Sequence, residues 1–288
     1  MKKEHTAIGF AILAAALYAL NAPLSKMMLG HVPPAMMAAL LYLGAGAGML
    51  FMMLTRRAAH IPSGEIGLKK ADLPYTLGMI VLDILAPLFL MLGLARTSAA
   101  NASLLNNFEI VATSLIALMI FRERVSLRLW CAIGLITLSS VLLSMEDPQS
   151  FSFSAGSLFV LLACSCWGLE NNCTRMLSRS DPQQIVIVKG FGSGIGALIV
   201  ALLAGERLVS FSAAVPALLL GFIAYGLSIY FYVYAQRYLG AAKTSAYYAV
   251  SPFIGVLLSL VLFRECPDLQ FYIAFAIMAA GAWMVAKA

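Results

Sequence analysis

Four ionisable residues interrupt long apolar stretches of this sequence: Asp83, Glu109, Glu170 and Lys189. Moving a charge into an apolar medium is costly, about 2.5–3.5 kcal/mol on scales for insertion into a bilayer. Such a residue therefore normally faces a charged partner or a polar cavity. We expect these four residues to form a site that binds a ligand or an ion.

Glu170 and Lys189 are predicted to lie at the same depth in two successive apolar stretches. Glu170 is about eight residues from the end of one stretch and Lys189 is about six from the start of the next, a difference of less than one helical turn. The two side chains are either part of the site or a salt bridge that only docks two helices. The sequence leaves both interpretations open.

The other two carboxylates, Asp83 and Glu109, have no basic residue at a comparable position. Asn106, Glu109 and Thr113 recur at i, i+3 and i+7 and so share one face of a helix. Hydrogen bonding between helices would explain the Asn and the Thr, but it would not explain the carboxylate. We predict that Glu109 lines a cavity and exchanges protons with it, and that Asn106 contributes to ligand binding. The excess of buried acidic groups favours a cationic or zwitterionic ligand, or protons.

Tyrosines are concentrated late in the chain. Tyr225, Tyr230 and Tyr232 lie too deep in an apolar stretch to belong to an interfacial aromatic belt, and Tyr248 follows in the next stretch. Their rings could stack on an aromatic ligand or hold an organic cation through cation–π contacts worth about 0.5–2 kcal/mol each. The alternative is that the rings fill space while their hydroxyls bond across helices.

The cysteines give a weaker signal. Cys166, Glu170 and Cys173 stand on one helical face and could pass a thiophilic metal ion, although cysteine is also a small apolar packing residue. The five cysteines form no C-x-x-C pair, and the motifs H-E-x-x-H, G-x-S-x-G and G-x-G-x-x-G are absent. We therefore expect no cofactor, no resident metal and no enzymatic activity.

The elements that position these residues must lie in a membrane. Of 288 residues, 62% are hydrophobic and 11% are charged, and the mean hydropathy is +0.91. A soluble domain has about 25% charged residues, so a soluble enzyme or a nucleic-acid-binding protein is disfavoured. Ten apolar stretches are each long enough to cross a bilayer as a helix: 6–28, 33–54, 73–95, 98–121, 127–145, 155–178, 183–204, 214–236, 241–263 and 268–287.

The basic residues predict the orientation. With the N-terminus in the cytoplasm, only Lys26, Arg96, Arg207 and Arg264 fall on the outer side, and Lys189 lies within a span. The other fourteen of the nineteen Lys and Arg residues lie on the inner side, as the positive-inside rule requires. We expect a multi-pass protein of the plasma membrane with both termini in the cytoplasm.

The two halves of the chain, 1–146 and 147–288, resemble each other. Three blocks recur in the same order in both halves. Tyr18–Asn21 aligns with Trp167–Glu170, and Gly44, Gly46 and Gly48 align with Gly192, Gly194 and Gly196. Ala99–Ser103 aligns with Ala241–Ser245, and Phe121-Arg122-Glu123 aligns with Phe263-Arg264-Glu265. Five spans per half is an odd number, so the second half must enter the membrane from the opposite face. This predicts an all-α fold of ten transmembrane helices in two inverted five-helix repeats.

With these motifs, over its whole length, the sequence resembles the EamA-type members of the drug/metabolite transporter superfamily. The resemblance implies two inverted repeats and a central cavity lined mainly by spans 1, 3, 4, 6, 8 and 9, to which Asn21 and Trp167 would contribute. It implies an exporter but not a substrate. Together with the buried charges and tyrosines, it leads us to expect export of a small cationic, zwitterionic or aromatic metabolite or drug, for example an amino acid, by alternating access. The alternatives are export of a thiophilic divalent metal ion and, more remotely, an intramembrane enzyme. The expected partners are the small-molecule substrate and the lipid bilayer, with no nucleic acid. The sequence leaves a homodimer open.

The orientation is testable by labelling. A single cysteine placed at 56–70 should react with an impermeant maleimide only from the cytoplasmic side, and one placed at 147–152 only from outside, because the basic residues set which loops stay inside. Labelling is measured on intact cells and on inverted vesicles. The reverse pattern would contradict the predicted topology and the inverted repeat with it.

Overall fold

The fold is described by a computed structural model that covers residues 2–60, 66–121, 126–147, 152–264 and 266–287. Over these residues the chain forms thirteen α-helices. In chain order α1 to α7 are Lys2–Ala19, Asn21–Met28, Pro34–Ala58, Leu73–Leu94, Ala99–Leu105, Phe108–Phe121 and Leu127–Ser144. Helices α8 to α13 are Ala155–Leu177, Pro182–Leu203, Phe211–Gly221, Ser228–Tyr248, Ser251–Phe263 and Leu269–Ala286. Arg122, Glu123 and Glu265 of the repeated Phe-Arg-Glu motif lie outside the described residues.

Two short strands separate the halves of the chain. Strand β1 (Met145–Asp147) pairs antiparallel with β2 (Ser152–Phe153), with Met145 opposite Phe153. The sequence predicts only a loop at 145–154, and the residues at its tip lie outside the described ranges. A ribbon of this length adds little stability, so it connects α7 and α8 without forming a separate layer.

Six segments of the described chain are long and apolar enough to cross a membrane, judged by length and composition alone: His5–Met28, Pro34–Ala58, Lys70–Leu94, Leu127–Ser144, Pro182–Leu203 and Phe211–Leu239. Two shorter apolar helices, Ser251–Phe263 and Leu269–Val285, follow. Seven of the eight coincide with a predicted apolar stretch to within a few residues, whereas Ser251–Phe263 begins ten residues after the start of the predicted stretch 241–263. The architecture is therefore all-helical and of membrane type.

Prolines set two helix ends that hydropathy does not show. A proline has no N–H to bond the carbonyl four residues before it. Helix α1 ends at Ala19, four residues before Pro23, and α11 ends at Tyr248, four residues before Pro252. The predicted first span is therefore two helices. The predicted break between spans eight and nine, at 237–240, is wrong, because α11 runs through it to Tyr248.

Four helix pairs make the most extensive packing: α3 with α9, α4 with α8, α1 with α11, and α7 with α13. Helix α5 also packs against α12, over a smaller area. A Cβ atom added to Gly190 of α9 would lie 2.5 Å from the Cα of Gly46 on α3. A Cβ atom on Gly44 would lie 2.0 Å from the carbonyl oxygen of Leu218 on α10. These glycines let α3 approach two neighbours at backbone distance, as small residues do at packing seams between membrane helices.

Polar contacts join loops at one end of the helix bundle. Glu206 accepts hydrogen bonds from the backbone N–H of Ala35 (3.1 Å) and Met36 (2.7 Å), which are otherwise unpaired donors at the start of α3. Lys26 donates to the carbonyl oxygens of Leu94 (2.6 Å) and Thr97 (2.8 Å). The end of α2, the start of α3, the end of α4 and the end of α9 therefore lie on the same side of the bundle.

Other polar contacts join loops at the opposite end. The N–H of Asp181 donates to the carbonyl of Ile66 (2.8 Å), Arg237 donates to the carbonyl of Ser180 (3.2 Å), and Arg128 donates to the carbonyl of Lys287 (2.5 Å). Every one of these contacts, at both ends, joins segments that the predicted topology places on the same side of the membrane.

A methyl group at a seam glycine should destabilise the bundle. Gly44→Ala places a methyl group against a backbone carbonyl that cannot move aside, so we expect a loss of about 1–3 kcal/mol. The thermal unfolding temperature of the purified protein in detergent measures the effect. Gly134→Ala is the matched control, because the Cβ atom at this helical position meets no atom within 4 Å. Equal stability of the two variants would contradict the seam.

Candidate functional site

The polar centre of the protein is a cluster of three charged residues from three helices. Lys189 of α9 lies with its Nζ 3.0 Å from Asp83 Oδ2 and 3.0 Å from Glu170 Oε1. The three residues are 4%, 0% and 3% exposed, so none of them is solvated from outside. The predicted pairing of Glu170 with Lys189 is confirmed as a contact. The expectation that Asp83 has no basic partner is wrong, because α4 packs against both α8 and α9.

Two neutral donors complete this charged cluster. The hydroxyl of Tyr42, from α3, donates to Asp83 Oδ1 at 2.8 Å. The hydroxyl of Thr174, one turn after Glu170 on α8, donates to Glu170 Oε1. Tyr42 is 1% exposed and sits in the middle of α3. Neither residue is among those predicted from the sequence, although a polar residue deep in an apolar stretch is the same signal that identifies Asp83.

Glu109 lies apart from this cluster at the start of α6. Its Oε1 accepts a hydrogen bond of 2.6 Å from Asn171 of α8, and the same amide is 3.3 Å from the hydroxyl of Thr113. Among the described residues no positively charged atom lies within 4 Å of this carboxylate, and the residue is half-buried. Glu109 therefore has neutral donors only. Glu109 and Thr113 lie on the same face of the helix, as the sequence predicts, because the side-chain amide of Asn171 contacts both.

Asn106 occupies the turn between α5 and α6 and points elsewhere. It lines a small pocket with Tyr18, Ser103, Ser251 and Gly255, and Cys164 lies 3.9 Å from its side-chain oxygen. The pocket has a volume of about 10 Å³, enough for roughly one water molecule. The hydroxyls of Ser103 and Ser251 are buried without a hydrogen-bond partner in the described part of the chain. The pocket therefore contains unsatisfied polar groups but is too small for an organic solute.

The aromatic residues form a continuous group beside both carboxylate sites. The ring centre of Tyr225 is 5.0 Å from that of Tyr42 and 5.8 Å from that of Tyr18. Tyr18 also packs edge-on against Trp167 at 6.2 Å and lies 5.8 Å from Tyr248.

Two further ring contacts bear on the predicted roles. Tyr232 packs on Tyr248 at 4.9 Å. Tyr225 is 1% exposed and its hydroxyl accepts a hydrogen bond of 3.0 Å from Asn21. Ser25 in turn donates to the Asn21 side chain at 3.0 Å. For Tyr225 and Asn21 this is the arrangement expected of residues that bond helices together.

Two helix irregularities lie at the depth of the charged cluster. Pro87 is inside α4, so the carbonyl of Asp83 receives no helical hydrogen bond from it. Residues Phe222–Leu227, which contain Tyr225, form a π-helical segment. Such segments are frequent at functional sites because they break the regular ladder of hydrogen bonds. Both distortions flank Tyr42, which contacts Asp83 and Tyr225.

The cysteine face does not converge with other metal ligands. Cys166 and Cys173 are half-buried, while the Glu170 carboxylate between them is engaged by Lys189 and Thr174. In the described ranges no group of three His, Cys, Asp or Glu residues comes together to hold a metal ion. Nothing in this geometry favours metal transport over transport of an organic solute.

Removal of the one cation in the cluster should destabilise the fold. Lys189→Gln leaves two carboxylates buried against each other, and breaking a buried ion pair costs about 3–5 kcal/mol. The triple variant Asp83→Asn, Glu170→Gln, Lys189→Gln keeps similar shapes and contains no charge, so it should regain most of the stability. Thermal unfolding in detergent compares the two. A triple variant no more stable than the single one would contradict electrostatic coupling within the cluster.

Comparison with known proteins shows the family to which the chain belongs. The sequence pattern of the EamA-like transporter family matches residues 5–145 and again residues 154–287. An uncharacterized transporter of Methanothermobacter thermautotrophicus is 27% identical over 290 residues, which cover 95% of this chain and 84% of the relative. A crystal structure with 19% identity superposes with a TM-score of 0.70 over 98% of this chain and 96% of the other; this likeness concerns the fold alone. The protein therefore belongs to the EamA-like transporter family and is a membrane transporter of the drug/metabolite transporter superfamily.

Proposed function

We propose that the protein is a secondary active transporter that exports a small cationic, zwitterionic or aromatic organic solute across the plasma membrane by alternating access. The observation that carries the proposal is the environment of Glu109. Its carboxylate is half-buried among neutral donors, and its partner Asn171 lies one helical turn after Trp167, which packs against Tyr18. A negative charge close to aromatic rings is the combination that binds an organic cation or an amino group.

The pattern of helix packing supports two inverted repeats, 1–146 and 147–288. Exchanging each predicted span with the span five places later swaps α3 with α9, α7 with α13 and α5 with α12. Each of these three helix contacts therefore maps onto itself. The pair α4 with α8 maps onto α11 with α1. The double match of the family pattern supports the same division of the chain.

The loop contacts support ten crossings with both termini in the cytoplasm. Five crossings per half reverse the entry side of the second half. In this arrangement Glu206 and Ala35 are both outside, whereas Asp181 and Ile66 are both inside, and each pair is in contact. The excess of basic residues on the inner side gives the direction.

The small size of the pocket supports a carrier rather than an open channel. The pocket beside Asn106 has room for about one water molecule and lies where α1, α5 and α12 meet, at the boundary between the proposed repeats. A solute would bind only after the two halves separate. Alternating access by rocking of inverted repeats provides that separation.

The function is tested first by transport. The purified protein in liposomes should export a solute from a panel of amino acids, organic cations and divalent metals, with and without a pH gradient. Glu109→Gln keeps the shape and removes the charge. Because a charge-assisted contact is worth about 1.5–3 kcal/mol, the apparent affinity for the cationic solute should fall by about 10- to 100-fold.

Neighbouring variants serve as controls. Asn106→Ala should weaken transport, and Thr113→Val should have a smaller effect, because Asn171 still holds Glu109. Unchanged transport in Glu109→Gln would refute the role of this carboxylate. Movement of cadmium or zinc alone would establish the metal alternative, and catalytic turnover without transport would refute both.

A further inference from the structure

We propose that Asp83, Glu170 and Lys189 form the binding site for a coupling proton, distinct from the carboxylate that contacts the solute. The inference rests on the proposed function as a secondary transporter, which requires an ion gradient to drive export. It replaces Glu109 as the group that exchanges protons and assigns to Glu109 the binding of solute only.

The formal charge of the cluster provides the first argument. Two carboxylates share one ammonium at 3.0 Å each, and the donors from Tyr42 and Thr174 are neutral. With both carboxylates ionised, the cluster has a net charge of minus one in the apolar interior, where an uncompensated charge is unfavourable. One proton added to a carboxylate oxygen neutralises it, while Lys189 remains an ammonium. When the proton leaves, the cluster regains its negative charge.

The geometry favours a proton over a metal cation. The three side chains are in direct contact and almost completely buried. A sodium ion coordinated by the same carboxylates would have to lie beside the ammonium of Lys189 or displace it. A proton needs no additional space and binds to a single oxygen.

Several ionisable groups of the described residues lie around the cluster. Tyr42 faces the cluster from α3, Tyr225 from the π-helical segment, and Cys166 and Cys173 from α8. Tyrosine and cysteine side chains are uncharged near neutral pH. Glu109, on α6, is also close, because its partner Asn171 directly follows Glu170 on α8. A cationic solute at Glu109 would therefore lower the affinity of the cluster for a proton, and a bound proton would disfavour the solute, which is the competition that antiport requires.

The position of the cluster connects proton binding to motion. Asp83 and Tyr42 come from the first half of the chain, whereas Glu170, Thr174 and Lys189 come from the second. Rocking of one proposed repeat against the other would change the distances within the cluster and open it to water. The missing helical hydrogen bond at the Asp83 carbonyl, caused by Pro87, lets α4 bend at this depth.

The proton can be detected without any solute. Infrared spectra of the purified protein in detergent, recorded across a pH series in H2O and D2O, report the C=O stretch of a protonated carboxylic acid. We expect a buried band that titrates with about one proton per chain. The band should disappear in Asp83→Asn and in Glu170→Gln, since either change leaves a neutral Lys–carboxylate pair. Glu109→Gln should retain it.

Three results would overturn the proposal: no such band in the wild type, a band that persists in both cluster variants, or a band that only Glu109→Gln removes. If Asp83→Asn does not fold, 13C-aspartate labelling of the wild type shows whether an aspartate carries the band, and 13C-glutamate labelling of Glu109→Gln shows whether a glutamate other than Glu109 carries it. Failure of every panel solute to move would refute the transport function but leave this titration unchanged, so the two failures are distinguishable.

Coupling itself is measured with whichever panel solute is transported. In Asp83→Asn, export driven by a pH gradient should be lost, while exchange of labelled for unlabelled solute at equal pH should continue, because exchange needs no net proton movement. Retention of gradient-driven export would overturn the proposal. Loss of both activities together with an unchanged carboxylic acid band would also overturn it.

Discussion

Lys189 is the constraint on which the arrangement of the central helices depends. Its ammonium must reach Asp83 and Glu170 at once, which fixes the relative depth and rotation of α4, α8 and α9. An apolar interior penalises any arrangement that leaves one of these charges without a partner. Hydrophobic burial cannot impose the same specificity in a membrane, where lipid tails are as apolar as leucine.

The glycine seams make this charged arrangement reachable. Lys189 is followed by Gly190, where an added Cβ would lie 2.8 Å from the carbonyl oxygen of Tyr42. The close approach of α3 and α9 thus brings the Tyr42 side chain to Asp83, which α4 supplies from its other side. Small residues and buried charges are often discussed as separate devices of membrane proteins. Here one helix crossing requires both.

Part of this site follows from the sequence, and part does not. Depth along a helix can be counted, so Glu170 and Lys189 could be paired in advance. Rotation about the helix axis and the choice of neighbours are set by tertiary packing, so the contact of Asp83 with Lys189 could not be predicted. The ends of α1 and α11 could be predicted from Pro23 and Pro252, because a proline cannot bond the carbonyl four residues before it. Hydropathy averaged over a window does not detect such single residues.

The halves match in packing but differ in chemistry, and the difference lies at the site. The proposed repeat aligns Asp83 with Tyr225, and both contact Tyr42, one through a carboxylate and the other through a ring. It aligns Glu109 with Ser251, so a carboxylate on one side corresponds to a buried hydroxyl on the other. Symmetric packing would give the proposed inverted repeat two conformations of similar energy. Under the proposed mechanism, unequal charges at equivalent positions would let a proton and a cation shift the balance between those conformations differently.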